Sequence, residues 1–215
     1  MILVPVKNLA NAKQRLSPVL GPEGRQELAK AMCADVLETL ARWRQRPAVA
    51  VVTSDRFAGD LAAHFGFEII ADDVNAGETG AIEMATAFYR SRGALHTLVI
   101  PADIPLIEVS ELEEIVESAP PSGALLVPDA AGRGTNAALR APADLFPLRF
   151  GNDSFLPHLA AAKATGLPCV VLKLPGFALD VDRPEDLQQL AAAGGERRSQ
   201  RLVRSWNLDA QVCRG

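Results

Sequence analysis

Short apolar runs alternate with longer stretches in which apolar residues recur every three or four positions. The runs are ILVPV (2–6), AVAVVT (48–53), EII (68–70), TLVIP (97–101), ALLVP (124–128), NAALR (136–140) and VVLKL (170–174). Brief apolar runs bounded by polar and turn-forming residues predict strands of a buried sheet. Between Pro22 and Trp43, by contrast, Leu28, Met32, Val36 and Leu40 follow one another at steps of four, which draws a single apolar stripe along a helix. Further helices are predicted over 56–65, 79–92, 110–118, 153–165 and 184–193. In the last, Asp182 stands three residues before Glu185 and Pro184 falls in the first turn, a capping-box-like start.

Strands alternating with helices specify an α/β fold, a mostly parallel sheet flanked by helices. The early part is regular β-α-β, whereas ALLVPDAAGRGTNAALR reads as two strands joined by a glycine-containing loop, so the order becomes mixed late in the chain. No internal repeat and no Pro/Ser-rich linker interrupts it. One domain is therefore expected over 1–193. From Gly194 the sequence GGERRSQRLVRSWNLDAQVCRG turns basic and loses apolar periodicity. Residues 194–215 are expected to form a mobile or peripheral tail, or a contact between copies in a homodimer.

Composition narrows the function classes. The chain has 215 residues, 48% hydrophobic and 22% charged, which suits a folded domain with a substantial core. A formal net charge of −4 supplies no general attraction to nucleic acid or an anionic membrane, so neither partner is expected and any polyphosphate must be held locally. Cys33, Cys169 and Cys213 form no C-x-x-C pair, and His64, His96 and His158 are dispersed, which favours a reducing compartment and disfavours structural zinc. The opening MILVPVKNLANAK lacks a basic leader, and no segment has 18 uninterrupted apolar residues, so a cytoplasmic location is expected.

In an open parallel sheet, ligands gather beyond the carboxyl ends of the strands. The first strand is followed there by Lys7, Lys13 and Arg15, the second by Thr53, Ser54 and Asp55, the strand TLVIP by Asp103, and the last by Asp180 and Asp182. Carboxylates collected at one sheet edge repel each other unless a cation lies between them. Magnesium takes hard oxygen ligands and usually combines one or two carboxylates with substrate phosphates, which suits this inventory better than zinc. Structural duties stand beside this reading: Asp182 as a helix cap, Asp103 as a turn residue before Pro105, the cations as solvated surface. Two further stretches are candidate ligand sites. Gly151, Asn152, Asp153 and Ser154 precede a predicted helix whose free N–H groups suit a phosphate or carboxylate, and Gly77 to Thr79 open another helix that suits a nucleotide base or ribose.

Together VPVKNLANAKQRL, PADIPL, GTNAALR, FGNDSF and FALDVDRPEDL resemble the guanylyltransferases of deazaflavin coenzyme biosynthesis, the CofC/FbiD family, over about residues 1 to 190. More broadly, the chain is similar to nucleotidyltransferases with a nucleotide-diphosphosugar-transferase-like fold. The resemblance implies transfer of GMP from GTP to 2-phospholactate, phosphoenolpyruvate or 3-phosphoglycerate, with release of pyrophosphate and passage of the product to the next pathway enzyme. It implies that Asp103, Asp180 and Asp182 hold one or two magnesium ions and act in catalysis with Lys13. Nucleotide binding falls to Val4, Pro5, Lys7, Arg15, Thr53, Ser54, Gly77, Glu78, Thr79 and Ala102, and the acid to Thr135, Asn136, Gly151 and Ser154. The chain departs from the family at Gly77-Glu78-Thr79, where many relatives are expected to carry Gly-Leu-Asn; a polar exchange there favours the hydroxylated 3-phosphoglycerate. Alternatives are a nucleotidyltransferase acting on a molybdopterin or sugar phosphate, and a non-catalytic nucleotide sensor.

Overall fold

The short apolar runs become the strands of one mixed sheet. The computed structural model describes residues 1–72, 77–151 and 153–206; Asn152 and Cys213 lie outside them. In chain order the elements are β1 (Ile2–Val6), α1 (Pro22–Arg42), β2 (Val49–Thr53), α2 (Arg56–His64), β3 (Glu68–Ile70), α3 (Gly77–Ser91), β4 (Thr97–Val99) and α4 (Val109–Ser118). There follow β5 (Gly123–Pro128), β6 (Thr135–Ala141), α5 (Phe155–Ala164), β7 (Cys169–Val171), α6 (Pro184–Ala192) and α7 (Arg198–Ser205). The sheet order is β3-β2-β1-β4-β6-β5-β7, and β6 runs antiparallel to both its neighbours, as the glycine-containing loop after β5 predicts.

Alternation along each strand divides the core between two faces. Ile2, Val4 and Val6 of β1 point to a layer containing Val36, Leu37 and Leu40 of α1, with Ala58 of α2 and Leu112 of α4. Leu3 points the other way, to Ile82 and Ala85 of α3 and Phe155 of α5. The predicted stripe Leu28, Met32, Val36 and Leu40 is fully buried, but not on one partner. Leu28 and Met32 belong to a third cluster with Val181, Leu187 and Leu190 around α6 and Val203 of α7.

Pro5 shapes the sheet where a ligand would enter. Leu98 N donates to Met1 O and Ile100 N to Leu3 O, so the odd residues of β1 face β4. The next donor on that side belongs to Pro5, which has no N–H. Pairing between β1 and β4 accordingly covers only Ile2 and Leu3, while β1 and β2 stay paired through Val6 and Thr53. The sheet opens between β1 and β4, where the chain order reverses direction across it, and such switch points place ligands beyond the strand ends.

Sequence expectations differ from the structure at several places. The strand expected over 97–101 ends at Val99. The last strand ends at Val171 rather than at 174, and a short 3₁₀ turn, Pro175–Phe177, separates it from Asp180. In the stretch expected to be a mobile or peripheral tail, residues 198–205 form α7, packed on α1 and α6. Apolar periodicity misses this helix because most of its anchors are polar. Asp35 of α1, 3% exposed, accepts from Arg198 N and Ser199 N, each at 2.9 Å, and from Ser199 Oγ at 2.6 Å. It caps α7 from a neighbouring helix. Gln200 is buried and donates to Ala193 O at 2.9 Å, and Arg197 donates to Thr39 Oγ1 at 2.7 Å.

Removing Asp35 leaves buried donors without an acceptor. Asp35→Ala is expected to cost about 2 to 3 kcal/mol, a fall in Tm of roughly 4 to 12 °C for a domain of this size, measured by thermal denaturation. An unchanged Tm would show that the Asp35 contacts contribute nothing to the fold.

Candidate active site

Lys13 gathers the acidic residues. Its ammonium donates to Asp103 Oδ2 at 2.7 Å and to Asp182 Oδ1 at 2.8 Å, with the side chain 6% exposed. Burial alone would lower its pKa, but the two carboxylates overcome that and raise it, so the lysine stays charged. Its backbone is left-handed, φ 56°, a conformation that strains a residue with a Cβ unless its surroundings impose it. Arg15 Nη1 lies 3.4 Å from the other oxygen of Asp182. Burial pushes the Asp182 carboxyl up, yet Lys13, Arg15 and Arg183 pull it below the ordinary range.

The Asp180 segment is docked from several sides. Asn136 Nδ2 donates to Phe177 O at 2.7 Å, Ala130 N to Ala178 O at 2.9 Å, and Gly176 N to Glu111 Oε1 at 2.7 Å. Gly176 approaches so closely that a Cβ would meet Leu106 O at 2.6 Å, so only glycine lets this turn pack on the chain that follows Asp103. Val181 N reaches Asp103 O at 3.4 Å and the Val181 side chain is buried. The residues on either side, Asp180 and Asp182, both line the cleft. Asp182 does not form the expected capping box with Glu185. The cap position of α6 is Arg183, and Asp186 Oδ2 accepts from Asp182 N at 2.9 Å and Arg183 N at 2.7 Å. Asp186 closes the helix end and leaves the Asp182 carboxylate to the cations.

These groups border a cleft of about 550 Å³. Its lining holds the carboxylates of Glu78, Asp103, Asp129, Asp153, Asp180, Asp182, Glu185 and Asp186 against the guanidiniums of Arg15, Arg133 and Arg183. The negative excess shows in the titration behaviour. Burial, with Asp103 and Asp182 beside it, pushes the Asp180 carboxyl up to about 6. Glu78 is pushed up to about 7 by burial and then by Asp103 and Asp182, against the opposing pull of Lys13 and Lys7.

Of the other sequence candidates, Thr135, Asn136, Gly151 and Ser154 line this same cleft. Thr135 N donates to Ser154 Oγ at 3.1 Å, which joins the start of β6 to the start of α5. Val4, Pro5, Lys7, Lys13, Thr53, Ser54, Gly77, Thr79 and Ala102 are not part of the lining, Lys13 lying behind the Asp103 and Asp182 carboxylates it bonds. Lys7 Nζ pairs with Asp72 at 2.5 Å. The Thr53 hydroxyl donates to Val6 O at 2.7 Å and accepts from Asp55 N at 2.9 Å. Asp55 caps α2 by accepting from Ala58 N at 3.1 Å, and also accepts from Leu9 N at 3.0 Å. Thr79 Oγ1 accepts from Phe150 N at 3.1 Å, tying α3 to the chain before Gly151.

Asp129, Arg133 and Arg183 line the cleft without having stood out in the sequence. Asp129 closes the β5–β6 connection by accepting from Arg133 N and Gly134 N, each at 2.8 Å. An aspartate ahead of G-R-G is the signal that could have found it.

The fold is shared with a nucleotidyl transferase from Methanothermobacter thermautotrophicus, with a TM-score of 0.61 at 16% identity over 95% of this chain and 99% of that one. A putative nucleotide-diphospho-sugar transferase from Desulfovibrio desulfuricans shares this fold, with a TM-score of 0.78 at 20% identity over 98% of this chain and 96% of that one. The family model described as guanylyl transferase CofC like matches residues 1–215, and the chain belongs to that family. It is similar to a phosphoenolpyruvate guanylyltransferase from Sphaerobacter thermophilus, 36% identical over 88% of this chain and 91% of the relative. A 3-phospho-D-glycerate guanylyltransferase from Colwellia psychrerythraea is 33% identical over 88% and 90% of the two chains. A 2-phospho-L-lactate guanylyltransferase from Methanothermobacter thermautotrophicus is 32% identical over 99% and 93%. The protein is a nucleotidyltransferase enzyme.

The raised Glu78 carboxyl has a consequence for the ligand-free protein. Its folded pKa of about 7 lies above the ordinary glutamate value of about 4.3. Between these values the folded state binds the extra proton, so the Glu78 contribution to stability falls as pH rises through that window. Glu78→Gln has no such loss. The side chain keeps some solvent contact, so the variant should gain about 1 kcal/mol over the parent between pH 4.5 and 8, read from urea unfolding at both pH values. A pH-independent difference would contradict the assignment.

Proposed function

We propose that the protein transfers GMP from GTP to the phosphate of a small phosphorylated three-carbon acid and releases pyrophosphate, as a step of deazaflavin coenzyme biosynthesis in the cytoplasm. The observation that carries this reading is one cleft lined both by the carboxylates of Asp103, Asp180 and Asp182, two of them bonded to Lys13, and by Thr135, Gly151 and Ser154. The first set suits a triphosphate and its counter-ion, the second a smaller anion.

Magnesium fits the donor set. The carboxylates of Asp103, Asp180 and Asp182 offer hard oxygens, and the Asp180 carboxyl is raised by burial first and by Asp103 and Asp182 beside it. Among the described residues no three acidic, histidine or cysteine side chains are gathered closely enough to hold an ion alone; magnesium usually takes one or two carboxylates together with substrate phosphates. Asp103, Asp180 and Asp182 would hold it. When bound, it would neutralise charge on the triphosphate and the leaving pyrophosphate.

The reaction needs orientation more than proton transfer. A phosphate monoester has its second pKa near ~6, so its attacking oxygen is already largely anionic at neutral pH and no protein base is required. That oxygen attacks the α-phosphorus in line; the new P–O bond forms as the bond to the β-phosphate breaks, and pyrophosphate takes the electron pair. Lys13 and Arg15 balance charge on the triphosphate side. Thr135, Ser154 and the backbone around Gly151 hold the acid.

Glu78 favours 3-phospho-D-glycerate among the three acids. It lines the cleft, and its carboxyl, pushed up to about 7 by burial first, can hydrogen-bond a substrate hydroxyl. Only 3-phosphoglycerate brings a free hydroxyl; that of phospholactate is esterified, and phosphoenolpyruvate has none.

The deciding experiment incubates the protein with magnesium, each nucleoside triphosphate and each acid, separately and in competition, and identifies product by mass. GTP with one of the three acids should give a guanylylated acid and pyrophosphate; turnover only with a molybdopterin or sugar phosphate would replace this reading. Asp103→Asn should lower kcat by at least about a hundredfold while Tm stays within a few degrees. Full turnover of that variant at saturating magnesium would remove Asp103 from the machinery. Thr135→Val should raise the KM for the acid about tenfold and leave the KM for GTP unchanged.

A further inference from the structure

His158 belongs to α5 and is 1% exposed, and none of the roles above uses it. Its Nε2 lies 2.7 Å from the backbone nitrogen of Arg149. A backbone N–H can only donate, so Nε2 is an acceptor and carries no proton. The neutral ring therefore holds its proton on Nδ1, which faces the hydroxyl oxygen of Thr135 at 2.9 Å.

This assignment sets the direction of the Thr135 hydroxyl. With Nδ1–H donating to it, Thr135 Oγ1 is the acceptor on its protein side and its own proton must point elsewhere. In the opposite tautomer Thr135 would donate to the ring and present only lone pairs, which repel an anion. Ser154 is set the same way, since its Oγ accepts from Thr135 N at 3.1 Å. Both residues line the cleft, so both hydroxyl protons are available to whatever anion lies there.

We infer that His158 is a positioning residue for the acid: its Nδ1–H fixes Thr135 as a hydrogen-bond donor toward the anionic acceptor substrate. The inference rests on the proposed phospho-acid site. Burial, with the Arg140 guanidinium adding to it, holds the imidazole pKa down at about 4, so the ring stays neutral where a cation would set a second N–H against that of Arg149. Phe150 packs edge-on against the ring, with centroids 5.2 Å apart, and constrains its orientation.

Two substitutions separate the ring's two hydrogen bonds. The amide of His158→Asn can keep a donor near the Nδ1 position, toward Thr135; the amide of His158→Gln can keep an acceptor near Nε2, toward Arg149. With whichever acid is guanylylated, His158→Gln should raise the KM for the acid about tenfold, with the KM for GTP within about twofold of the parent. His158→Asn should stay within about threefold for both. In a Thr135→Val background, His158→Gln should add no more than about twofold, because the group it acts through is gone. Equal rises in both KM values, or a further tenfold loss in that background, would overturn the inference.

Nitrogen-15 spectra of the ring at pH 7.5, assigned by the signal missing in His158→Gln, should show a neutral Nδ1–H tautomer. An Nε2–H tautomer or an imidazolium would overturn the inference regardless of activity. Failure of the unaltered protein to guanylylate any acid would instead sink the proposed substrate class, and the ring spectrum would still decide the His158 geometry.

Discussion

A buried ammonium between two carboxylates holds the acidic side of the cleft together. Lys13 reaches Asp103 and Asp182 across sequence separations of 90 and 169 residues. A charge taken from water is costly unless paired and hydrogen-bonded, so the lysine constrains where the chain after β4 and the chain before α6 can lie. The arrangement also explains why the left-handed backbone at Lys13 persists. Burial, with the neighbouring carboxylates adding to it, still pushes Asp180 and Glu78 toward the protonated form.

The fold supplies the space for this cluster through a missing donor. Pro5 cannot extend the β1–β4 ladder, and the sheet parts where the two strands would otherwise stay paired. The antiparallel β5–β6 pair brings Thr135 to the same cleft, and Asp129 keeps the connection between these strands closed. The two sets of residues thus come from different supersecondary units. One is the parallel β-α-β half with Lys13 and Asp103; the other is the later half with Thr135, Gly151 and Ser154. Asp180 and Asp182 cross between them because Asn136, Ala130 and Glu111 dock the segment that carries them.

Most strands and helices were legible because their apolar residues obey a period. The stripe on α1 is buried along its length, and the mixed order of the later strands follows from a glycine-containing loop between two strand-length runs. Polar anchoring leaves no such trace. α7 is held by Asp35, Arg197, Ser199 and Gln200, and a window that reads apolar spacing finds only a basic stretch there. The cap of α6 was misread for a related reason: Glu185 and Asp186 are adjacent acids, and only the path of the chain into the helix decides that Asp186 turns back to the Asp182 and Arg183 amides.

The sequence by itself determined the layered α/β architecture, the acids and cations beyond the strand ends, and five motifs that mark a guanylyltransferase family. Those depend on local periodicity and on residue identity, which a linear reading preserves. Only the tertiary structure decided that Lys13 sits between Asp103 and Asp182, that Asp182 is free of capping duty, and that His158 stands behind Thr135. Each of these is a directed contact between residues far apart in the chain or on different elements, and hydrogen-bond direction depends on where donors and acceptors meet in space. Chain order carries no record of that meeting.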